Sequence, residues 1–294
     1  MKHYAEKILR CGDTPVRYVE AGTGETLIFL HNGGGFWQSW IHQLDYFSQT
    51  HRVIALGWPG YEEGHPAEQP LSLAYYYDIL RSFVVQMGLD RFALIGNCIG
   101  ASIAIHYQTR HPDAVSALVL MNICPGRRII RSRVMQALVY DIRHPGFRAW
   151  LTRVIRWTFT HSPARRIFPD IVFAGPRPTD DFLYGHFLAN LVSPARTAGR
   201  LNLLFASDTF TLNRILTPQT DVRNSLLLWG ARNKATPLRP HAAYHQRLCQ
   251  IPELHVIPQG GHMAMYENPE LVNDLIARHL ASAGTHTPST TPAP

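Results

Sequence analysis

Short apolar runs, each followed by a stretch with helical periodicity, recur along this chain and constrain its fold more than any other feature. The runs are four or five residues long and are flanked by Gly, Pro or Asn, a pattern typical of buried parallel strands. They lie at residues 27–30, 53–56, 92–95, 117–121, 226–229 and 254–257. Strands that alternate with helices predict an α/β fold, with a mostly parallel central sheet flanked by helices on both faces.

The start and the middle of the chain depart from this alternation. Residues 5–20 predict an antiparallel pair of strands that turns at Gly12 and Asp13. After Met121 the chain becomes helical and loop-like, with many aromatic, Arg and Pro residues, until a strand resumes at Ser225. We interpret this stretch as an inserted helical cap over the sheet. The predicted division is a first core part at 1–124, the cap at 125–220, a second core part at 221–281 and a disordered tail, rich in Thr and Pro, at 282–294.

The composition is typical of one large globular domain. The chain has 294 residues, of which 46% are hydrophobic and 17% charged, and these values exclude fibrous, collagen-like and wholly disordered proteins. Residues 1–10 carry no apolar signal core, and no apolar run approaches the length of a membrane span. We therefore expect a soluble, cytoplasmic protein without stable membrane insertion.

The four cysteines are far apart, and none forms a C-x-x-C pair. Their spacing argues against a zinc site and against a disulfide framework. No cluster of metal ligands is visible, so neither a metal nor an organic cofactor is expected. We interpret Cys11, Cys124 and Cys249 as plain buried or partly exposed thiols, whereas Cys98 lies within a motif.

The formal net charge of +7 is concentrated in one segment. Ten arginines lie there, opposed only by Asp141: Arg127, Arg128, Arg131, Arg133, Arg143, Arg148, Arg153, Arg156, Arg165 and Arg166. Such a patch can attract an anionic substrate, a carrier protein or a membrane surface, and it can equally be the solvated face of ordinary helices. No nucleic-acid-binding motif accompanies it, so we expect no nucleic-acid partner.

The strongest chemical motif is Gly-Asn-Cys-Ile-Gly at residues 96–100, between a predicted strand and a predicted helix. This is the context of a nucleophile elbow, a tight turn that holds the nucleophile in a strained backbone conformation. Larger side chains at Gly96 and Gly100 would collide across the turn. The helix N-terminus directs its N–H groups and the positive end of its dipole at the sulfur, which favours the thiolate.

A glycine-rich loop, His-Asn-Gly-Gly-Gly at residues 31–35, follows the first core strand. Such a loop lets the backbone approach a substrate closely. Together with the N–H group of Ile99, the N–H group of Gly33 is predicted to form an oxyanion hole. The alternative is a flexible turn between strand and helix; the order of loop and elbow along the chain favours the oxyanion hole.

His262 follows the last predicted strand within the loop that contains Gly260 and Gly261. A histidine in this loop can reach across the carboxyl edge of the sheet to Cys98 and act first as general base and then as general acid. The chain contains sixteen histidines, so it is the loop and its position that single out His262.

Together these features resemble the α/β-hydrolase family, and the resemblance extends from about residue 16 to residue 280. Further matching segments lie at residues 58–61, 110–113 and 267–270. The chain order of nucleophile, acid and histidine is that of the family. The sequence resembles most the esterase and haloperoxidase branch, which implies an α/β-hydrolase fold that acts on esters or thioesters of small or medium acids.

The nucleophile departs from the family pattern. Most members of this branch carry serine where this chain has Cys98, while epoxide hydrolases and haloalkane dehalogenases carry aspartate. Cys98 therefore argues against epoxide hydrolysis and dehalogenation through an aspartyl ester. Dienelactone hydrolases also have cysteine in this motif, but the rest of this chain resembles the esterase branch.

The acid position departs as well, because the family pattern expects an aspartate where this chain has Asn233. The alternative position of the acid, after the preceding core strand, is Asn122, again an amide. We therefore expect Asn233 as the third triad member, in a Cys-His-Asn set like that of papain-like proteases. Asp208 or Asp221, at the end of the cap, remain alternative sources of a carboxylate.

The leading hypothesis is a hydrolase or acyltransferase that forms an acyl-enzyme on Cys98. Its substrate would be a small acyl compound, either free or bound to coenzyme A or to a carrier protein. Two alternatives remain open: a non-catalytic small-molecule binding protein, and a lyase or cyclase that does not use Cys98 covalently. The wider substrate pocket is predicted to include Asn32, Gly34, Trp37 and Asn97.

Overall fold

An eight-stranded sheet forms the centre of the protein. The computed structural model describes residues 3–61, 71–126, 145–161, 166–175, 177–178, 180–189, 193, 196–197, 199, 203 and 206–284. The strands are β1 (Lys7–Cys11), β2 (Thr14–Ala21), β3 (Thr26–Leu30), β4 (Arg52–Gly57), β5 (Phe92–Asn97), β6 (Val115–Met121), β7 (Leu226–Gly230) and β8 (Leu254–Ile257).

The order of the strands across the sheet is β1-β2-β4-β3-β5-β6-β7-β8. The first two strands form the predicted antiparallel pair, and β2 also runs antiparallel to β4. All other pairs are parallel. Each of the six apolar runs is a strand, so the predicted α/β class with a mostly parallel sheet is confirmed.

Helices cover both faces of the sheet. They are α1 (Ile41–Phe47), α2 (Leu73–Gln86), α3 (Ile99–Arg110), α4 (Pro145–His161), α5 (Ile167–Val172), α6 (Phe182–Ala189), α7 (Leu212–Ile215), α8 (Leu238–Cys249), α9 (Ala264–Glu267) and α10 (Pro269–Gly284). Short 3-10 turns lie at Trp37–Trp40, Pro112–Ala114 and Ser207–Phe210. No helix in the described ranges is long and apolar enough to cross a membrane.

Alternate residues of each central strand point to opposite faces, and this divides the core in two. Ile28 and Leu30 face the cluster that contains α2, α3 and α8. Leu27 and Phe29 face the cluster that contains α1 and α10. Both faces are therefore apolar, which explains why these strands are continuous apolar runs rather than alternating ones.

The chain between β6 and β7 contains α4 to α7, and the cap boundaries assigned from the sequence remain a prediction. The predicted tail needs a correction at its start, because α10 continues through Gly284 and therefore includes residues 282–284. The reason is packing: Ala283 lies against the core cluster beneath α10. The remainder of the predicted tail, 285–294, lies outside the described residues.

Candidate active site

Cys98 stands alone between the end of β5 and the start of α3, at the carboxyl edge of the sheet. Its backbone has φ 57° and ψ −112°, a strained conformation for a residue with a side chain. A Cβ on Gly96 would lie 2.5 Å from the Ala101 nitrogen, and one on Gly100 would collide with the Leu30 carbonyl oxygen. Gly96 is thus required by the turn itself, whereas Gly100 is required by the close approach of the end of β3 and not, as predicted, by a collision across the turn.

Two backbone N–H groups meet at the Cys98 sulfur. One belongs to Ile99, in the first turn of α3, and the other to Gly33, in the loop after β3; both hydrogen-bond the sulfur. These are the donors that the sequence assigns to the oxyanion hole. Donors from two different loops that converge at one point are suited to hold a carbonyl oxygen that becomes negative during acyl chemistry.

A second thiol, that of Cys124, also contacts the Cys98 sulfur. Contact with Cys124 and burial hold the pKa of Cys98 well above its ordinary value, while the N–H groups of Ile99 and Gly33 act in the opposite direction. The resting sulfur is therefore a neutral thiol at neutral pH. Cys124 is a buried free thiol, as the sequence predicts; it lies beside Cys98 because β6 is the neighbour of β5.

His262 lies in the loop between β8 and α9, and its backbone is held from two sides. Its N–H group donates to the Val172 carbonyl at 2.8 Å. Its carbonyl accepts from the side-chain amides of Asn97, at 3.0 Å, and Asn122, at 3.2 Å. Because Asn97 directly precedes Cys98, these bonds tie the histidine loop to the elbow. Burial lowers the pKa of His262 to about 4, so the ring is neutral at pH 7.

The side chain of Asn233 faces Nδ1 of His262. Its Oδ1 accepts the Thr236 N–H at 2.9 Å, and its Nδ2 lies 2.7 Å from the Thr236 hydroxyl and 3.1 Å from Nδ1. Since Oδ1 is held by Thr236, the amide presents an N–H, and not an oxygen, to the ring. In this orientation Nδ1 accepts the amide N–H, which favours the tautomer of His262 with its proton on Nε2. The sequence did not single out Thr236, which orients this amide.

The other candidates for the acid position are engaged elsewhere. Asn122 accepts the Gly230 N–H at 3.0 Å and donates to Asn97 Oδ1 at 3.2 Å, so its side chain joins the ends of neighbouring strands. Asp208 pairs with Arg214 at 2.8 Å, and Asp221 pairs with Arg223 at 2.7 Å. In the described part of the chain, the hydrogen-bond partners of the His262 ring at Nδ1 are Asn233 and Thr236.

Of the four residues predicted for the wider pocket, Asn97 and Asn32 make contacts that support the loops of the site. Asn32 is buried and donates to the Gly33 carbonyl at 3.3 Å, and its Oδ1 has no hydrogen-bond partner among the described residues. Gly34 has a positive φ of 75° and allows the loop to turn. The indole N–H of Trp37 is instead engaged by Glu6, at 2.7 Å, so it is directed at the N-terminal segment.

Two supporting residues were missed by the sequence analysis of function. His31 is buried and accepts the Trp58 N–H at 2.9 Å, which fixes the loop after β3 against the loop after β4. Glu267 accepts the Gly261 N–H and the Ala174 N–H, each at 2.7 Å, and so anchors the histidine loop. Both lie in segments that the sequence singles out, 31–35 and 267–270, but their roles depend on backbone partners outside those segments.

Comparisons with known proteins agree with this architecture. A family model described as the alpha/beta hydrolase fold matches residues 25–269. The chain is 22% identical over 269 residues to the 2-hydroxy-6-oxononadienedioate/2-hydroxy-6-oxononatrienedioate hydrolase of a Pseudomonas species, covering 89% of this chain and 90% of that protein. It is 24% identical over 293 residues to epoxide hydrolase 2 of Caenorhabditis elegans, covering 93% and 79%. The structure of a haloalkane dehalogenase from Bradyrhizobium elkani matches with a TM-score of 0.75 at 15% identity, covering 97% of this chain and all of that one.

Proposed function

The chain belongs to the α/β-hydrolase fold family, and from this premise we propose that it is an ester or thioester hydrolase or acyltransferase whose nucleophile is Cys98. The observation that carries the proposal is the pair of N–H groups, from Ile99 and Gly33, that meet at the Cys98 sulfur. A carbonyl carbon attacked by this sulfur would have its oxygen within reach of both donors.

In the proposed reaction the thiol proton of Cys98 passes to Nε2 of His262 as the sulfur bonds to the acyl carbon. The ring must first carry its proton on Nδ1, which the Asn233 amide disfavours. The tetrahedral intermediate then expels an alcohol or thiol, which takes the proton from Nε2. Water or another acceptor removes the acyl group from the sulfur and restores the thiol.

Cysteine suits a site that has an amide at the acid position. A carboxylate beside Nδ1 stabilises the imidazolium, and its replacement by an amide costs a serine enzyme about 10⁴ in rate. A thiol is more acidic than a hydroxyl and depends less on its base. Cys98 and Asn233 are therefore a matched pair of departures from the serine pattern. The elbow offers no carboxylate, so this chain is not proposed to open epoxides or remove halides as its relatives are named for doing.

The substrate is proposed to be a small acyl group, with coenzyme A or a carrier protein as its anionic donor. The positive charge of the chain supports this choice, since arginine binds phosphate groups well. Arg153 and Arg166 are exposed at the surface of the segment between β6 and β7. Most of the remaining arginines of this segment fall outside the described residues.

A second candidate function rests on the orientation of Asn233. With the ring proton on Nε2, His262 is a hydrogen-bond donor toward the site rather than a base. A site of this kind can bind a carbonyl compound, or polarise one in a lyase or cyclase reaction, without a bond to Cys98.

Intact-protein mass spectrometry separates the two candidates. Wild type, Cys98→Ala and Cys11→Ala would be incubated at neutral pH with activated esters and acyl-coenzyme A thioesters. Cys11 is a buried cysteine on β1 and serves as the matched control. We expect an added acyl mass on wild type and Cys11→Ala and none on Cys98→Ala.

Two other outcomes are informative. If Cys98→Ala still turns over a carbonyl substrate and wild type shows no adduct, the acyl-enzyme mechanism is rejected in favour of the non-covalent function. If no donor gives an adduct or turnover but the protein still binds a ligand, we would conclude that it is a binding protein.

A further inference from the structure

The chain segments just beyond β5 and β6 run side by side and bring two cysteines together. The strands pair with Asn97 opposite Met121. Beyond this register, the Cys98 N–H donates to the Met121 carbonyl at 3.0 Å, and the Cys124 N–H donates to the Cys98 carbonyl at 3.3 Å. The backbones of Cys98 and Cys124 are thus held directly against each other.

The separation of the two residues suits a disulfide. A hydrogen bond joins the two backbones directly, and disulfides form between residues whose Cα atoms are about 4.4–6.8 Å apart. The side chains of Cys98 and Cys124 also contact each other, and both are free thiols. The two thiols are therefore direct neighbours, as a disulfide requires.

The other two cysteines lie in different settings. Cys11 ends β1 at the edge of the sheet, and Cys249 ends α8. Burial raises the pKa of both thiols, to about 12 for Cys249. They are two natural controls for a reaction that needs a neighbouring thiol.

We propose that Cys98 and Cys124 form an oxidation site at which a peroxide converts the two thiols into an intramolecular disulfide that small thiols reverse. The peroxide first oxidises Cys98 to a sulfenic acid and is itself reduced to water or an alcohol. The sulfur of Cys124 then attacks the Cys98 sulfur, the S–S bond forms, and the sulfenic oxygen leaves as water. Two thiols are oxidised by two electrons, and one peroxide bond is reduced.

The disulfide has two consequences. It removes the Cys98 sulfur from any reaction with a carbonyl, so the site is switched off while oxidised. It also competes with further oxidation of Cys98 to sulfinic acid, which is irreversible for most proteins. The oxidation does not require that Cys98 carries acyl groups, so it stands independently of the proposed function.

The test is a count of free thiols after mild treatment of the full chain with hydrogen peroxide. The protein is then denatured and alkylated with N-ethylmaleimide. The reduced chain has four cysteines and takes four labels; we expect the oxidised wild type to take two and to yield one cross-linked peptide containing Cys98 and Cys124. Dithiothreitol should restore four labels. Oxidation should accelerate as the pH rises, because the thiolate is the reactive form.

Variants make the test specific. Cys11→Ser and Cys249→Ser should each form the same cross-link, whereas Cys124→Ser and Cys124→Ala should lose it and accumulate a sulfenic acid on Cys98 that dimedone traps. If both Cys124 variants fail to fold, as judged by circular dichroism, the peptide map of wild type decides alone. A cross-link between other cysteines would overturn the proposal, as would conversion of Cys98 to sulfinic acid with no cross-linked peptide.

Discussion

The two halves of the site differ in the charge that their groups are suited to stabilise. The elbow half, built on β5, α3 and the loop after β3, presents the N–H groups of Ile99 and Gly33 to the reacting position. The histidine half, built on the loops after β7 and β8, presents a neutral imidazole and an amide. In the proposed reaction, negative charge on a substrate oxygen would thus be stabilised, whereas positive charge on His262 would not.

The two halves are nevertheless joined as rigidly as a charged triad would require. Asn97 and Asn122 bond to the His262 carbonyl and to each other. These contacts involve no ionised group, so they hold the position of the ring regardless of its protonation. The comparison indicates that both halves hold their groups in position, while only the elbow half has groups suited to stabilise a developing charge. A nucleophile with a low demand for a base, such as a thiol, fits this division.

The strongest test exchanges the proposed nucleophile. Cys98→Ser should lower the acylation rate by about 10³-fold or more, because a hydroxyl needs a base that the Asn233–His262 pair supplies poorly. Adding Asn233→Asp to this variant should recover much of the loss, since the carboxylate favours the proton on Nδ1. Single-turnover kinetics with an activated ester measures both steps. Equal rates for the single and the double variant would show that charge in the histidine half does not limit the reaction.

Asn233→Asp in the wild-type background should raise the acylation rate by roughly 10- to 100-fold, less than for serine because a thiol depends less on the base. The new carboxylate raises the pKa of His262 from about 4, so the acid limb of the pH–rate profile should move to higher pH. Asn122→Asp is the matched control: its side chain contacts the histidine carbonyl and not the ring, so no gain is expected. A gain in both variants would argue for a general field effect.

His31 in the elbow half and His262 in the histidine half are buried and neutral, and both make the fold sensitive to acid. Burial lowers the pKa of His31 and of His262 from 6.5 to about 4. Between these values the unfolded chain binds protons that the folded chain does not. Stability is therefore full above about pH 6.5 and falls as the pH drops toward 4, by on the order of 3 kcal/mol for each histidine.

Urea denaturation at several pH values measures this loss. The variant His262→Gln should lose less stability than wild type between pH 6.5 and pH 4, because only His31 of the pair then contributes. If the loss of stability between pH 6.5 and pH 4 is the same in His262→Gln as in wild type, His262 is protonated in the folded protein well above pH 4.

The smallest effect is expected from the anchor of the histidine loop. Glu267→Gln keeps one acceptor but turns an N–H toward the Gly261 or the Ala174 N–H, so it should cost about 1–3 kcal/mol of stability. Burial raises the pKa of Glu267, so the folded chain binds this proton more readily than the unfolded chain, and the cost of the buried charge should lessen in mild acid. Thermal unfolding checks the change, with Glu270→Gln, an exposed residue in the first turn of α10, as the control. Equal shifts of the unfolding temperature in Glu267→Gln and Glu270→Gln would show that Glu267 does not anchor the loop.

Much of the fold and of the elbow was predictable from local sequence. Continuous apolar runs such as 27–30 become strands because both faces of a parallel sheet are buried. Gly96 marks the turn at Cys98 because the collision that it avoids is with Gly100 and Ala101, only a few positions away, whereas Gly100 avoids Leu30 at the end of β3. His262 was found by its place after the last strand.

The sequence by itself therefore determined the α/β sheet, the elbow and the two loops that face it, since these depend on apolar periodicity and on short-range sterics. Only the tertiary structure decided that Cys124 touches Cys98 and that Thr236 turns the Asn233 amide toward His262. The physical reason is that these contacts join segments that are brought together by the order β5-β6-β7-β8 across the sheet, and residue type alone does not reveal which polar group each will meet.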